Sequence, residues 1–444
     1  MTHLLPGSLP VAQPPTRPAP QLPRGGLPRL LPDQGIFPID LRTHLARHGR
    51  LPYRGRRREL IAEVAAAGLT GRGGAAFPTH RKLAAVSEYR TPPVVMANGA
   101  EGEPASNKDK SLLWLSPHLV LDGLQLAAET VGSVTVGLYV HRNPRLHDWL
   151  RTAIAERAAA GIDAYPVDLV EAPPRFLAGE ESALASRTSG GAALPRFKQP
   201  RASQRGVAGR PTLVQNVETL AHLAVIARYG AAWFRTVGTD GEPGSMLTTR
   251  YLADGRMDVL EVPLGVPLAA LLGLPDADQP AQAVLVGGYH GAWVPAGAAQ
   301  ALPLANAALR PHGAAVGAGV VAVLPTDRCG LAESARVARY LALESAGQCG
   351  PCFNGLPRIA AALGELAGLR PRRDVVASLL RWAGMVEGRG ACHHPDGTTR
   401  FVRSALQVFE AEITWHRHGR CTAGNGQPFL PLPGDPPLND ADWR

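Results

Sequence analysis

From residue 60 to residue 235, apolar runs of helical and strand type alternate, and loops rich in glycine and acid separate them. This alternation constrains the fold more than any other feature, because successive strand–helix units close into an α/β layer whose loops gather along one sheet edge. Leu60-Ile61-Ala62-Glu63-Val64-Ala65-Ala66-Ala67 has helical composition and stops at Gly68, a residue suited to a helix C-terminus. Val94-Val95-Met96 reads as a strand, Leu119 to Val131 carries apolar residues at helical spacing, and Val134 to Val140 reads as strand again. Around 246 to 300 the chain turns to short strand-like runs, Met246 to Tyr251, Val259 to Val262, Leu268 to Leu272 and Ala283 to Val286, which predict a small α+β module. From Leu331 to about Trp415 it is rich in Ala, Leu, Arg and Glu at helical period, broken by a cysteine motif and the turn Gly388-Arg389-Gly390. The division that follows is a Pro-rich disordered leader (1–35), an α/β domain (36–245), a small mixed domain (246–328), a helical domain (329–420) and a tail (421–444).

Composition excludes several function classes. The longest apolar stretch, Ala314 to Leu324, falls far short of the ~18 residues that span a bilayer. The leader lacks an apolar core before a small-residue cleavage site, so it does not read as a secretory signal. Five cysteines are few and odd in number, which argues against a disulfide scaffold and for a reducing cytoplasm. The net charge of +9 comes from 46 basic residues of which only four are lysine, a bias toward arginine. No basic run interleaved with aromatics appears, so nucleic acid is not an expected partner; an acidic redox partner is.

Three loops carry the chemistry. Gly71-Arg72-Gly73-Gly74-Ala75-Ala76 has the G-x-G-x-x-[GA] spacing, but a helix precedes it where a dinucleotide-binding motif needs a strand. What it offers is backbone that can approach a ligand closely and N–H groups that can cradle an anion, with Arg72 and Lys82 adding positive charge. Asn98-Gly99-Ala100-Glu101-Gly102-Glu103-Pro104 sets two carboxylates just after a strand. Gly179-Glu180-Glu181-Ser182-Ala183-Leu184 repeats the scheme at the start of a helical stretch, where acids are ordinarily caps.

Taken with Pro195-Arg196-Phe197-Lys198, Pro211-Thr212-Leu213-Val214-Gln215-Asn216-Val217-Glu218-Thr219 and Glu344-Ser345-Ala346-Gly347-Gln348-Cys349-Gly350-Pro351-Cys352, and in this order, these segments resemble the NADH-binding flavoprotein subunit of respiratory complex I and its relatives in soluble hydrogenases and formate dehydrogenases. The resemblance implies a Rossmann-like FMN-binding domain, a small β-grasp or ubiquitin-like domain with its glycine turn at Gly287-Gly288-Tyr289-His290-Gly291, and a C-terminal helical iron–sulfur bundle. It implies that FMN is held by Gly71, Arg72, Gly73, Gly74, Lys82 and Asn98, with Asn216 and Thr219 adding polar contacts. Glu101 and Glu103, expected to orient substrate at the reacting centre, join Gly179, Glu180 and Glu181 on the nicotinamide and ribose side. The expected function is NAD(P)H oxidation through FMN to an iron–sulfur centre and a ferredoxin-type partner, within a larger oxidoreductase complex. The alternatives are an FMN electron-transfer protein that ferredoxin feeds and a silent scaffold.

Departures from the family pattern sharpen these expectations. Ala100 stands where an Asp is usual beside the flavin, Ala76 replaces a loop glycine and Gln215 replaces an Asn. Phe77 keeps one of three adenine-stacking aromatics, but Ala85 and Arg201 occupy the other two positions. Each lost stack is worth on the order of 1–3 kcal/mol, so NADH binding is expected to be weaker. The family's C-x-x-C-x-x-C lacks its first member at Ala346, leaving Cys349, Cys352 and Cys392 as implied ligands. A [4Fe–4S] cluster with one non-cysteine ligand, or a [3Fe–4S] cluster, is expected. His393 or His394 can supply the imidazole, and Cys421 stays open as a ligand. Cys329 does not, because about 16 helical residues would place it roughly 24 Å away.

Overall fold

A computed structural model describes residues 27, 29–32, 37–52, 57–197, 200–275, 280–424, 427–434 and 443–444. Lys198, in one of the matched motifs, and most of the Pro-rich leader lie outside the described residues.

The first layer is a parallel sheet of β1 (Val94–Gly99), β2 (Thr135–His141), β3 (Val167–Ala172) and β4 (Thr212–Asn216), in the order β3-β2-β1-β4. β1 is central, and Val94, Val95, Met96 and Ala97 are buried on both its faces, which is why it reads as a continuous apolar run and not an alternating one. Helix Pro117–Val131 starts with proline in its first turn and ends at Gly132 in the left-handed region, and it packs with helix Val217–Phe234 over β1. The register aligns Asn98 with Asn216, so the two asparagines stand side by side at the C-terminal edge of the sheet. That edge is where ligands bind in open α/β sheets.

A second, mixed sheet contains β5 (Ser245–Tyr251), β6 (Met257–Pro263), β7 (Ala281–Val286), β8 (Ala292–Pro295) and β9 (Val320–Pro325), in the order β6-β5-β9-β7-β8. β5 and β9 are parallel, and the other pairs are antiparallel. Leu268 to Leu272, expected as a strand, is a helix. Its Leu-Ala composition favours helix, Pro267 precedes it and Gly273 closes it in the left-handed conformation; five apolar residues alone do not distinguish the two states.

Strand alternation divides the second sheet between two cores. Leu285, Trp293, Ala322 and Leu324 pack against the C-terminal helices, through Leu331, Val337, Leu356, Ile359 and Phe401. Val284, Val286, Val294, Val321 and Val323 face the opposite way, onto Leu268, Leu271 and Leu309. The C-terminal helices are Gly330–Leu343, Leu356–Ala367, Val375–Val386, His394–Val408 and Glu410–Arg417. Among the described residues, no helix is long and apolar enough to cross a membrane.

The segment read as a disordered leader is packed at its described residues. Leu27 N–H donates to the Glu261 carbonyl at 2.8 Å, Leu30 N–H donates to the Glu261 carboxylate at 2.8 Å, and the Arg29 guanidinium lies 4.1 Å over the Trp233 ring. Prolines elsewhere in the segment mask this short apolar anchor, in which Leu30 is buried. The tail also returns to the first domain: Ala193 N–H donates to the Trp443 carbonyl at 2.7 Å, and Arg175 stacks on the Trp443 ring at 4.4 Å.

Candidate functional site

A cleft of about 280 Å³ opens at the C-terminal edge of the parallel sheet. Its wall brings together Arg72, Gly73, Asn98, Glu101, Glu103, Gly179, Glu180, Asn216 and Cys392 from the expected residues. Gly71, Gly74, Phe77, Lys82, Glu181 and Thr219 stand beside it, outside its lining.

The glycine loop is pinned at its base. Gly71 N–H donates to the Phe77 carbonyl at 2.9 Å, and Arg72 N–H donates to the Thr219 hydroxyl at 2.8 Å. Arg72 does not present its charge to the solvent side of the loop: its guanidinium donates to the carbonyls of Ser245 at 3.2 Å and Thr70 at 3.1 Å, and so braces the loop against β5. Lys82 is likewise engaged, donating to the Val214 carbonyl at 2.8 Å and pairing with Glu181 at 3.1 Å. The backbone of Gly73, Gly74 and Ala75 is left exposed.

The strand-end asparagines and two of the four acids order the surrounding loops. Asn98 donates to the Gly179 carbonyl at 2.8 Å; Asn216 accepts Glu218 N–H at 3.0 Å as a helix cap and donates to Asp109 at 2.7 Å. Glu101 accepts the N–H groups of Asp109 at 3.1 Å and Lys110 at 3.2 Å, capping helix Lys108–Leu115. Glu180 does the same for helix Glu181–Thr188 through Ser182 at 2.9 Å and Ala183 at 3.1 Å. The acidic loop meets the segment around Gly179 backbone to backbone. A Cβ at Gly102 would lie 2.2 Å from the Phe176 carbonyl oxygen, and one at Gly179 would lie 2.5 Å from that of Ala100. Only glycine permits that approach.

Glu103 is the acid with an unusual environment. It is partly covered, and burial pushes its carboxyl up to about 7, opposed by N–H donation from Tyr289 at 2.8 Å and Ala105 at 3.2 Å. It therefore changes charge near neutral pH at the cleft wall.

Sequence reasoning did not assign roles to Lys108, Asp109, Glu218, Phe176 or His290. Lys108, buried, bonds Asp109 at 2.7 Å and Glu218 at 2.8 Å. Burial opposes its charge, but the two carboxylates hold Lys108 above its ordinary range. Burial also pushes Glu218 upward, yet Lys108 and His222 hold it down at about 2, while Asp109 is raised by burial to about 6. A lysine placed just past the acidic loop of so arginine-rich a chain was the available signal. The back wall is aromatic: the Phe176 ring lies 4.8 Å from His290 and 5.6 Å from His394.

The cysteine site adjoins this wall. Cys349 and Cys352 lie at the turn before helix Leu356–Ala367, and Cys392 precedes helix His394–Val408. Burial, together with the neighbouring Cys349 and Cys392 thiols, pushes Cys352 up to about 12. Three soft sulfur donors, two of them buried, suit an iron–sulfur cluster. Both ring nitrogens of His394 are engaged, Nε2 with the Leu341 carbonyl at 2.8 Å and Nδ1 with His290 at 3.0 Å. His393 is the imidazole that remains accessible, its side chain 82% exposed and its Nδ1 3.2 Å from Asp396. Cys421, left open by the sequence, lies beside Cys329 at the start of helix Gly330–Leu343. That helix has 14 residues, which separates its ends by about 21 Å and sets Cys421 apart from the end that leads to Cys349 and Cys352.

The donors also fit FMN: exposed glycine backbone at the mouth, amide side chains at two strand ends and an aromatic back wall suit a phosphate-bearing, flat, heteroatom-rich cofactor. Residues 64–225 match the Nuo51 FMN-binding domain, and residues 332–416 match the NADH-ubiquinone oxidoreductase-F iron-sulfur binding region. The chain is 30% identical over 384 residues to an F subunit of the NADH-quinone oxidoreductase of Rhizobium meliloti, a match covering 81% of this chain and 88% of that one. It is 28% identical over 403 residues to the corresponding F subunit of Streptomyces coelicolor, covering 84% and 85%. A chain of an NAD+-reducing [NiFe]-hydrogenase in the air-oxidized state superposes with a TM-score of 0.76 at 29% identity, covering 88% of this chain. The match spans 66% of that hydrogenase chain. On sequence and structure together, the chain belongs to the family of NADH-quinone oxidoreductase F subunits.

Proposed function

We propose that this chain oxidises NAD(P)H at an FMN held in the cleft and passes single electrons through a cluster on Cys349, Cys352 and Cys392 to an iron–sulfur partner, ferredoxin-type or another member of an oxidoreductase complex. One observation carries the reading: Cys392 and its neighbours His393 and His394 line the same cleft as Gly73, Asn98, Gly179 and Glu103. A flavin and a cluster held by these residues would share a wall. When bound, FMN supplies the hydride chemistry and the cluster takes electrons singly; the protein needs no nucleophile of its own.

The chain's residues hold and shield. Gly73 offers backbone, while Asn98 and Asn216 fix the sheet edge against which a flat ring can lie. Glu101 and Glu180 keep the two acidic loops in place as caps, and Glu103, on the cleft wall with a carboxyl poised near neutrality, would face the nicotinamide. His393 is the non-cysteine ligand that this arrangement leaves for the cluster. The middle sheet, whose second, first, fifth, third and fourth strands follow in that order with the first and fifth parallel, supports the β-grasp reading and a role in packing and partner contact.

A second reading, feeding by reduced ferredoxin, draws support from Ala85 and Arg201, both exposed where stacking aromatics are expected, leaving Phe77 alone. Stopped-flow bleaching of the flavin separates the two. Bleaching that saturates with NADH supports the proposal; none with NADH but full bleaching with reduced ferredoxin supports the second reading. Gly73→Val, whose Cβ would lie 3.2 Å from Asn216 Cβ, is expected to lose the flavin.

A further inference from the structure

A second set of metal-binding side chains converges at the far end of the helical domain. Cys329, Glu412, His416 and Cys421 each place a ligand atom so that all four lie within 4.8 Å of one another. Three segments contribute. Cys329 caps helix Gly330–Leu343, its Sγ accepting Ala332 N–H at 3.4 Å. Glu412 and His416 stand one turn apart on helix Glu410–Arg417. Cys421 follows the turn made by Gly419, whose φ is 76°.

The histidine and the carboxylate are oriented as ligands. His416 Nδ1 lies 3.1 Å from the Leu366 carbonyl, which can only accept, so Nδ1 carries a proton and Nε2 is the nitrogen turned toward the group. Glu412 is fixed by Thr422, whose N–H donates at 2.9 Å and whose hydroxyl bonds the second oxygen. Nε2 then lies 3.1 Å from Glu412 Oε1 and 3.6 Å from Cys329 Sγ. A ring nitrogen and a carboxylate oxygen that close call for positive charge between them, which a proton or a metal ion supplies. The N–S spacing matches an edge of a coordination tetrahedron and the N–O spacing falls slightly short of one. With zinc bonds of about 2.0–2.1 Å to N and O and about 2.3 Å to S, its edges are about 3.3–3.4 Å for N–O and about 3.6 Å for N–S.

We propose that Cys329, Glu412, His416 and Cys421 bind one zinc ion, with all four positions filled by the protein. Two thiolates, an imidazole and a carboxylate are a donor set zinc takes readily, and a site with no open position is structural. It staples the last helix and the chain after it to the start of helix Gly330–Leu343, about 21 Å along that helix from the iron–sulfur end. His416 and Glu412 are buried and Cys421 is exposed, which leaves an entry path for the ion.

The test uses the full chain, purified anaerobically, supplied with Zn2+ and dialysed against a chelator. Elemental analysis is expected to find zinc equimolar with the chain, and zinc is expected to be lost in Cys421→Ser and in His416→Ala while iron and flavin content stay unchanged. Should those variants misfold and shed flavin, zinc-edge X-ray absorption of the wild type decides, with sulfur at about 2.3 Å and nitrogen or oxygen at about 2.0–2.1 Å as the expected shell. Absence of zinc from the wild type, equal zinc in the variants, a shell without sulfur, or a Cys329–Cys421 disulfide found by mass spectrometry would each overturn the proposal.

Discussion

Replacing Glu103 by glutamine keeps the shape of the side chain and removes its ionisation. In the folded protein this carboxyl is pushed from 4.5 up to about 7. Its folded value is raised, so the stability it contributes is fully present below its unfolded value and is lost as pH rises through about 7. The full difference is worth on the order of 3 kcal/mol, at about 1.4 kcal/mol per pH unit through the window. Glutamine has one oxygen for two N–H donors, and the longer bond, from Ala105 at 3.2 Å, is the one it gives up. That loss costs ~1 kcal/mol at every pH and leaves the slope untouched. Glu261, also raised by burial to about 7, titrates in both proteins, so the difference between them isolates Glu103. Urea-denaturation midpoints measured from about pH 4.5 to about pH 8.5 are expected to show Glu103→Gln gaining on the wild type up to neutrality and then holding a constant advantage. Parallel profiles for the two proteins would refute the reasoning.

Three further outcomes follow. Lys108→Met leaves Glu218 and Asp109 buried without their cation and is expected to destabilise the fold by about 3–5 kcal/mol, read from the same denaturation midpoints; a cost under about 1 kcal/mol contradicts it. Ala85→Tyr restores a ring at one of the two positions where the family stacks adenine and is expected to tighten NADH by about 1–3 kcal/mol, which flavin-bleaching titration measures; unchanged affinity means that Ala85 does not face the adenine. Ala346→Cys, which completes the C-x-x-C-x-x-C pattern, is expected to change the paramagnetic resonance of the cluster and slow its loss in air, and an identical spectrum with an identical lifetime would show that position 346 does not reach it.

Features carried by contiguous pattern were legible. The β1 run at Val94 and the helix closed by Gly68 could be read because local propensity and burial agree there. The family resemblance was enough to group Gly73, Asn98, Glu103 and Gly179, which line one cleft, but not to show that Cys392 lines it too. Roles set by the direction of a side chain were not legible. Arg72 looks like an anion ligand in sequence, yet it turns inward to carbonyls, and Glu101 and Glu180 spend their oxygens on helix N-termini. Leu268 to Leu272 misled because five apolar residues carry no period, and the packed residues 29 to 32 were hidden because prolines around them outnumber the anchor at Leu30. The group at Cys329, Glu412, His416 and Cys421 has no compact Cys/His spacing, since its first ligand stands at the start of the helical domain's sequence and the others at its end.

The most direct test of the central claim is anaerobic reduction of the reconstituted chain by NADH, with flavin absorbance and cluster paramagnetic resonance followed in the same sample. The account predicts acid-releasable FMN, bleaching by NADH, and a reduced-cluster signal that disappears in Cys352→Ser while the bleaching persists. FAD or no flavin, no iron after reconstitution, or an unchanged cluster signal in Cys352→Ser would contradict it.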